Sequence, residues 1–573
     1  MISPTRSWLI PLILALAAAV FLIVFQSDVP NGDGRVYIRQ ITEGLFVWNP
    51  NHLLMEPLGL VWYRLVQALG LGWTLFSALK VLAGVAAIAT LVIFHRTVSL
   101  ATGGDVLLSL FIPHQTASLV TGGAALLSAT ATAGFFFSAH FLSMAIAEEF
   151  FVVQMPLVAG ALWFATRWAT DTAAPGGGRA VHLAAAGAMT GLATGVAINN
   201  AFLALGLGLG VFAATRGPWQ ARLRNAVICW GTGVAVAAPI FLAAGLTNSS
   251  GQSFLSWLLS YQGTADNPAE VMFRVQMTPV GLAVSLATAA YGSVSSLVSP
   301  GELGSALEPL VRGRPLEFVP DTTHLVVTVL LLLVLALLLL PAALWLVRRR
   351  GRRAPLELVA IGWLIGYAGF NLYWVDTSDQ FFITQLPAFW LMVALFVRAR
   401  ADADAAQAPR QRRAWWTWAT TAAVALLAVV NIQAVLVPRA FMDIESRHAA
   451  FRALLRPGDL IVTTGWDDMA WLQVDPGERL ERVQLMDLVL RSRKGDPDLE
   501  ALPARARAHV AGGGRVIVAR LFDRDREGRP WEDLDRLRWP RPRLQGLFKD
   551  FEAVPIGRVD AVVLRELRPR ALP

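Results

Sequence analysis

The sequence predicts a polytopic α-helical membrane protein that carries a small α/β domain near its C-terminus, outside the membrane. Three observations carry this expectation. About eleven apolar windows are each near the length a helix needs to cross hydrocarbon. Arginine gathers in alternate connections between those windows, as the positive-inside rule requires of a membrane-spanning chain. After Val437 the long apolar runs stop and a soluble pattern of short strands and charged helices begins.

With 573 residues, 55% of them hydrophobic, and a mean hydropathy of +0.51, the chain is too apolar for a length-based count of soluble domains to apply. The formal charge of +8 is carried almost wholly by arginine, because lysine occurs only at Lys80, Lys494 and Lys549. Such charge sets topology and meets lipid phosphate, and no nucleic-acid partner is expected. Cys229 is the one cysteine, which excludes an intramolecular disulfide, a cysteine zinc cluster and a redox pair.

In order, the first window is Trp8 to Phe25, preceded by Arg6. It is longer than the apolar core of a secretory signal and no small-x-small cleavage site follows, so it reads as a retained span that starts in the cytoplasm. The next windows run Trp73 to Phe94, Ala117 to Phe137, Phe150 to Trp168, Val181 to Val196, Phe202 to Ala214 and Ala226 to Gly245. The last four run Leu325 to Val347, Leu356 to Val375, Phe381 to Val397 and Trp415 to Val437. The fifth and sixth are short and broken at Asn199-Asn200.

With the start inside, Arg96, then Arg167 and Arg179, then Arg216, Arg222 and Arg224 all face the cytoplasm. So do the Arg348 to Arg353 cluster and the group from Arg398 to Arg413. The outer connections are then 26–72, 138–149, 247–324 and 376–380. The chain divides into a transmembrane domain, 1–437, and an extracytoplasmic α/β domain, 438–573, in a bacterial cytoplasmic membrane.

Within the first outer connection, Leu53 to Leu69 has apolar residues at helical spacing interrupted by Glu56, Arg64 and Gln67, and reads as a helix lying in the interface. Leu100 to Thr116 is a similar element on the cytoplasmic side. In the tail, Leu460 to Thr464, Arg515 to Leu521 and Ala561 to Leu567 read as strands, and Asp498 to Val510 as a helix. Gly512-Gly513-Gly514 precedes its strand, whereas a phosphate-cradling loop follows one, so the triplet ends a helix.

The first outer connection also holds the chemistry. Asp33 opens DGRVYIRQI. Asp-Gly is a turn pair, and in a soluble protein a solvated turn would be its reading. Beside a bilayer, where charge is costly to desolvate, the carboxylate is a candidate base that takes a proton from an acceptor hydroxyl. Glu148 and Glu149 stand at the outer start of the fourth span. Adjacent helical positions point about 100° apart, so at most one of them shares a cavity with Asp33. Both facing water at a helix N-terminus is the competing reading.

An acidic residue before Tyr37, then NHLLMEPLG, then AEEFF at the close of the second outer connection, resembles the GT-C membrane glycosyltransferases. The nearest likeness is to the protein O-mannosyltransferase and aminoarabinose-transferase-like enzymes. The resemblance covers roughly the first 440 residues at the level of topology. It implies transfer of a sugar from a polyprenyl-phosphate donor to a glycan, lipid or protein acceptor on the outer face, with inversion at the anomeric carbon. On that likeness Asp33 matches the base, and one of Glu148 and Glu149 positions donor or acceptor.

The leaving lipid phosphate calls for cations, and arginine suits it because its planar fork holds two oxygens. Arg35, Arg39, Arg274, Arg312 and Arg314 lie on the outer side, with Lys80 inside the second span. Arg312 and Arg314 read better as headgroup contacts. His52, in the NHLL segment, and His140 are candidates to donate to phosphate; no second histidine at helical spacing makes a metal pair. Asp376 and Asp379 share a short outer connection whose spacing would suit a divalent cation, although carboxylates in an exposed turn are more often only solvated. No cofactor is required by the sequence, and the metal ligands are not defined by a motif. Trp374, Phe381 and Phe382 read as interface anchors. The rival functions are a lipid-linked sugar transporter or flippase, a surface-glycan polymerase or ligase, and a structural subunit whose outer tail binds a partner. No repeat of one half in the other supports the transporter.

Overall fold

The computed structural model describes residues 9–27, 32–43, 51–103, 118–147, 149–171, 177–247, 253–258, 354–373, 379–407, 410–432, 449–451, 453–464, 481–485, 488–489, 498–522, 539–559 and 562–570. By internal packing it divides into two units. The first comprises Met1–Ser27, Gln40–Gly263 and Ala269–Ala440, and the second Asp28–Arg39, Thr264–Pro268 and Phe441–Pro573. The stretch that carries Asp33 is thus grouped with the second.

The helices are α1 (Leu9–Val24), α2 (Gly32–Glu43), α3 (Met55–Ala68), α4 (Leu75–Thr102), α5 (Ser118–Phe136), α6 (Ala139–Ala145), α7 (Phe150–Val153) and α8 (Met155–Thr170). They continue with α9 (Gly177–Val196), α10 (Asn200–Ala214), α11 (Trp219–Thr247), α12 (Phe254–Leu258), α13 (Pro355–Tyr373), α14 (Leu386–Gln407) and α15 (Arg410–Asn431). A tight helical turn, Asp379–Gln385, leads into α14. Every apolar window that falls on described residues is helical.

Three described helices are long and apolar enough to cross a membrane, Leu75–Thr102, Trp219–Thr247 and Phe382–Asp402. A fourth span arises if Gly123–Phe136 and Ala139–Ala145, bent by 68°, form one broken crossing. These make the chain an integral membrane protein. The expected total of about eleven spans is not reached among the described residues, for a physical reason: Ile10–Val24, Asn200–Ala214, Pro355–Phe370 and Trp415–Val429 are apolar but only 10–17 residues long. Each is shorter than the roughly 20 residues that cover a hydrocarbon core without tilt or thinning. The window Leu325 to Val347 lies outside the described residues, as does Leu100 to Thr116 beyond Gly103, where α4 stops on a left-handed glycine, φ 70°.

Close helix packing comes from glycine. Gly206 and Gly210 of α10 face Gly362 and Gly366 of α13, each pair at four-residue spacing. A Cβ at Gly362 would sit 2.5 Å from the Gly206 carbonyl oxygen and 2.6 Å from the Gly210 nitrogen. With no side chain between them the two backbones touch, the arrangement that drives association where lipid is as apolar as the helix surfaces. Gly187 and Gly191 of α9 meet the Cys229 and Gly233 carbonyls of α11 in the same way.

α3 is the helix expected over Leu53 to Leu69. Its apolar Leu58, Val61 and Leu65 point outward, while Met55, Glu56, Gly59 and Val66 are buried. Trp62 Nε1 donates to the Ala78 carbonyl at 2.7 Å and fixes α3 to the start of α4. An outward apolar stripe with a buried carboxylate is the pattern of a helix bathed in lipid rather than water.

The second unit contains a five-stranded sheet, order β2-β1-β3-β5-β4, from β1 (Leu460–Thr463), β2 (Glu481–Gln484), β3 (Val516–Ala519), β4 (Phe551–Val559) and β5 (Val562–Pro569). β1 pairs parallel with β2 and β3, and β5 pairs antiparallel with β3 and β4. The helix Asp498–Ala511 ends before Gly513, φ 82°, so the glycine triplet does close a helix. Sequence patterning misses β2, which offers one apolar residue, and β4, whose register shifts between Pro555 and Gly557. Arg515 donates through Nε and Nη2 to both oxygens of Asp459, at 3.0 and 2.6 Å, and ties β1 to β3. Phe451, Ile461, Ile517 and Leu564 form the core beside it.

Candidate active site

The long helices of the first unit alternate in direction from α1 to α11 and again from α13 to α15, so their described ends fall into two sets. One set joins the end of α1, the starts of α4, α8, α10 and α14, and the ends of α5, α9, α13 and α15. Hydrogen bonds knit this end together. Ser27 N donates to the Ile146 carbonyl at 3.0 Å, and Leu54 N and Ile198 N donate to Gly195 O and Asn51 O, each at 3.0 Å. Trp390 Nε1 donates to Ser138 Oγ at 2.9 Å, and Asn431 Nδ2 to the Phe137 carbonyl at 2.6 Å. The arginines assigned to the cytoplasm that are described, Arg96, Arg167, Arg179, Arg216, Arg222, Arg224, Arg398 and Arg400, all lie toward the opposite end.

Lys80 sits in the second turn of α4, where Thr74 caps the helix by accepting from Ser77 N at 3.2 Å. It is 5% exposed. Its Nζ donates to the Ser27 carbonyl at 3.2 Å and lies 4.6 Å from the Phe76 ring centroid. The sequence places this cation inside a span; the fold puts it near the start of α4, beside Ser27 just beyond the end of α1.

His52, half-buried in the NHLL segment, is hydrogen-bonded to the Val196 backbone and meets the edge of Phe151, 6.3 Å between ring centroids. Burial lowers its pKa to about 3, so the ring is neutral at neutral pH and can serve phosphate only as a hydrogen-bonding group, not as a cation.

Glu149 is 2% exposed and precedes α7. The reading in which both Glu148 and Glu149 face water therefore fails for Glu149, which is enclosed next to α7, a turn of helix packed against α6 and the turn Asp379–Gln385. Phe382 is likewise buried in protein rather than anchoring at the interface. Asp33, Arg35 and Arg39 lie on α2, with Asp33 in its first turn, so the competing reading of Asp-Gly as a turn does not hold; their side chains are outside the described residues, as is that of Asp379 at the start of its helical turn. Glu148, Arg274, Arg312, Arg314 and Asp376 are outside the described residues altogether. Among the described residues no group of three or more His, Cys, Asp or Glu side chains is arranged to hold a metal ion.

Sequence reasoning missed a buried polar chain at this end. Tyr367 donates from its hydroxyl to Asn200 Oδ1 at 2.5 Å and is hydrogen-bonded to the Thr384 side chain. Asn200 Nδ2 donates to Gln154 Oε1 at 2.5 Å and to the Ala193 and Ala197 carbonyls at 2.9 and 3.1 Å. Trp363 Nε1 donates to the Thr384 carbonyl at 2.9 Å. The one sequence signal was Asn199-Asn200 interrupting an apolar run.

No protein-family model and no curated protein matches the sequence. Solved structures do match by fold, and they define the class: a GT-C-like fold with a small C-terminal sheet. ArnT of Cupriavidus metallidurans in the apo state is 11% identical, with a TM-score of 0.52 over 98% of each chain. The same protein bound to undecaprenyl phosphate is 10% identical, with a TM-score of 0.51 over 98% of each chain. The Archaeoglobus fulgidus oligosaccharyltransferase tethered to an acceptor peptide is 12% identical, with a TM-score of 0.53 over 98% of this chain and 76% of that one. The resemblance to GT-C transferases read from the sequence thus holds at the level of the fold.

Proposed function

We propose that the chain is an inverting membrane glycosyltransferase that moves a sugar from a polyprenyl-phosphate donor to an acceptor on the outer face of a bacterial cytoplasmic membrane. The observation that carries this reading is the buried Lys80 at the bundle end opposite the arginines, in a fold matched along the whole chain by a protein solved with undecaprenyl phosphate. The end bearing Lys80 is then the extracytoplasmic one.

In this reaction the acceptor oxygen attacks the anomeric carbon, its proton passes to Asp33, and the bond from that carbon to the phosphate oxygen breaks. The polyprenyl phosphate leaves with the bonding pair, its charge offset by Lys80 and Arg274, with Arg35 and Arg39 as further phosphate ligands. Glu149 or Glu148 orients the reacting hydroxyl. Asp376 and Asp379 are further candidates to contact the donor. A divalent cation is not needed by this scheme.

The test is Asp33→Asn in reconstituted full-length protein. Transfer of labelled sugar is expected to fall about 10²- to 10⁴-fold while binding of carrier is retained. Normal turnover in that variant rejects Asp33 as the base. Labelled carrier crossing the bilayer with no new glycosidic bond rejects the transferase in favour of a flippase.

A further inference from the structure

Three helices begin at the Lys80 end with a side-chain amide at the position before their first residue: Gln154 before α8, Asn199 before α10 and Gln385 before α14. All three are enclosed, at 0%, 5% and 2% exposure. The side chains of Gln154 and Asn199 do not cap their own helices. Gln154 Nε2, Asn199 Nδ2 and Gln385 Nε2 are each buried with no hydrogen-bond acceptor. A desolvated amide donor left unmet is rare, because it forfeits its bond to water and gains nothing in return.

The orientation of Gln154 follows from its neighbours. Asn200 Nδ2 faces the Ala193 and Ala197 carbonyls, which only accept, so the atom there is the nitrogen. The Gln154 atom that meets Asn200 Nδ2 must then be the oxygen, which turns its N–H₂ away. The three amides are linked by one chain of contacts. Gln154 bonds to Asn200, next to Asn199; Asn200 bonds to Tyr367; and Tyr367 bonds to Thr384, next to Gln385.

We propose that Gln154, Asn199 and Gln385 donate hydrogen bonds to the hydroxyl oxygens of the transferred sugar. The class follows from the chemistry. Three neutral donors at helix N-termini, where the backbone also presents partial positive charge, favour oxygen acceptors. They carry no formal charge, so they suit a polyhydroxylated ring rather than a phosphate, which Lys80 and the arginines would hold. A site built around such donors discriminates strongly against ligands that leave them unmet. This assignment deepens the transferase reading and rests on it.

The experiment measures binding of bare undecaprenyl phosphate, and of undecaprenyl phosphate bearing one glucose or one mannose, to full-length protein and to the variants Gln385→Leu and Asn199→Leu. Wild type is expected to bind a hexose-bearing carrier about tenfold more tightly than the bare one. Each variant should lose that preference and keep its affinity for the bare carrier. The ligand-free variants should melt no lower than wild type, because each removes an unmet buried donor. A lowered Tm with the hexose preference intact makes the amides structural and overturns the proposal. Equal weakening of both carriers, or a wild type indifferent to the hexose, overturns it too and leaves the transferase reading standing. A wild type that binds neither carrier removes that reading and this one together.

Discussion

The two ends of the helical unit hold their charged groups differently, although each encloses a carboxylate, Glu357 at the arginine end and Glu56 and Glu149 at the other. At one, Arg398 donates to the Ala101 carbonyl at 3.3 Å and pairs with Asp402 at 3.6 Å, both side chains open to solvent. Arg179 donates to the Trp168 carbonyl at 3.1 Å, and His182 stands 4.0 Å from Asp171. At the other end Lys80, Glu56, Glu149 and a run of amides are enclosed. Exposed pairs are individually weak, and their summed charge sets which side of the membrane an end occupies. Enclosed polar groups must be satisfied by the fold or by a ligand, so the second end is where chemistry is to be sought.

The comparison presumes one rigid bundle joining both ends, and Gly362→Leu tests that most severely. The added side chain would overlap the α10 backbone, so destabilisation of about 3 kcal/mol or more is expected, read as loss of monodisperse protein on size-exclusion chromatography. A well-behaved Gly362→Leu protein would mean the helices are not in contact.

Exchanging charge at the two ends gives the next effect. Lys80→Met should weaken polyprenyl-phosphate binding by about 100-fold, while Arg398→Ala leaves it intact and changes stability by under about 1 kcal/mol. Similar losses in both would erase the contrast.

His52 sharpens it through pH. Its folded pKa of about 3 lies below the ordinary 6.5, so between those values the unfolded chain holds a proton that the folded one refuses. Stability is therefore full above pH 6.5 and is lost as pH falls toward 3, by about 2–3 kcal/mol at pH 4.5. The Tm of His52→Gln should fall less over that range than the wild-type Tm. Parallel curves would place His52 in contact with water.

A smaller loss than that at Lys80 or His52 is expected of Tyr367→Phe, which leaves Asn200 Oδ1 without its donor and should cost about 1–2 kcal/mol in chemical denaturation.

Local patterns were legible where they repeat. Apolar windows foretold the helices, the Asn199-Asn200 break separated α9 from α10, and the glycine triplet closed its helix. Span lengths were harder to read, since an apolar run does not say how much of it tilts, bends or stops short, as at the 68° break between Phe136 and Ala139. Sequence position left open whether Glu149 faces water or a cavity. It is enclosed beside α7, and α7 packs against residues 379–385, far along the sequence.

What the sequence determined by itself is the membrane class, the helical periodicity and the gathering of arginines in alternate connections, because hydrophobicity and charge act through the solvent and need no partner. Only the tertiary structure decided that Lys80 lies beside Ser27, that Gly206 faces Gly362, and that Gln154, Asn200, Tyr367 and Thr384 form one chain. Those are pairings between distant positions, and an individual glutamine or glycine carries no mark of the residue it will meet.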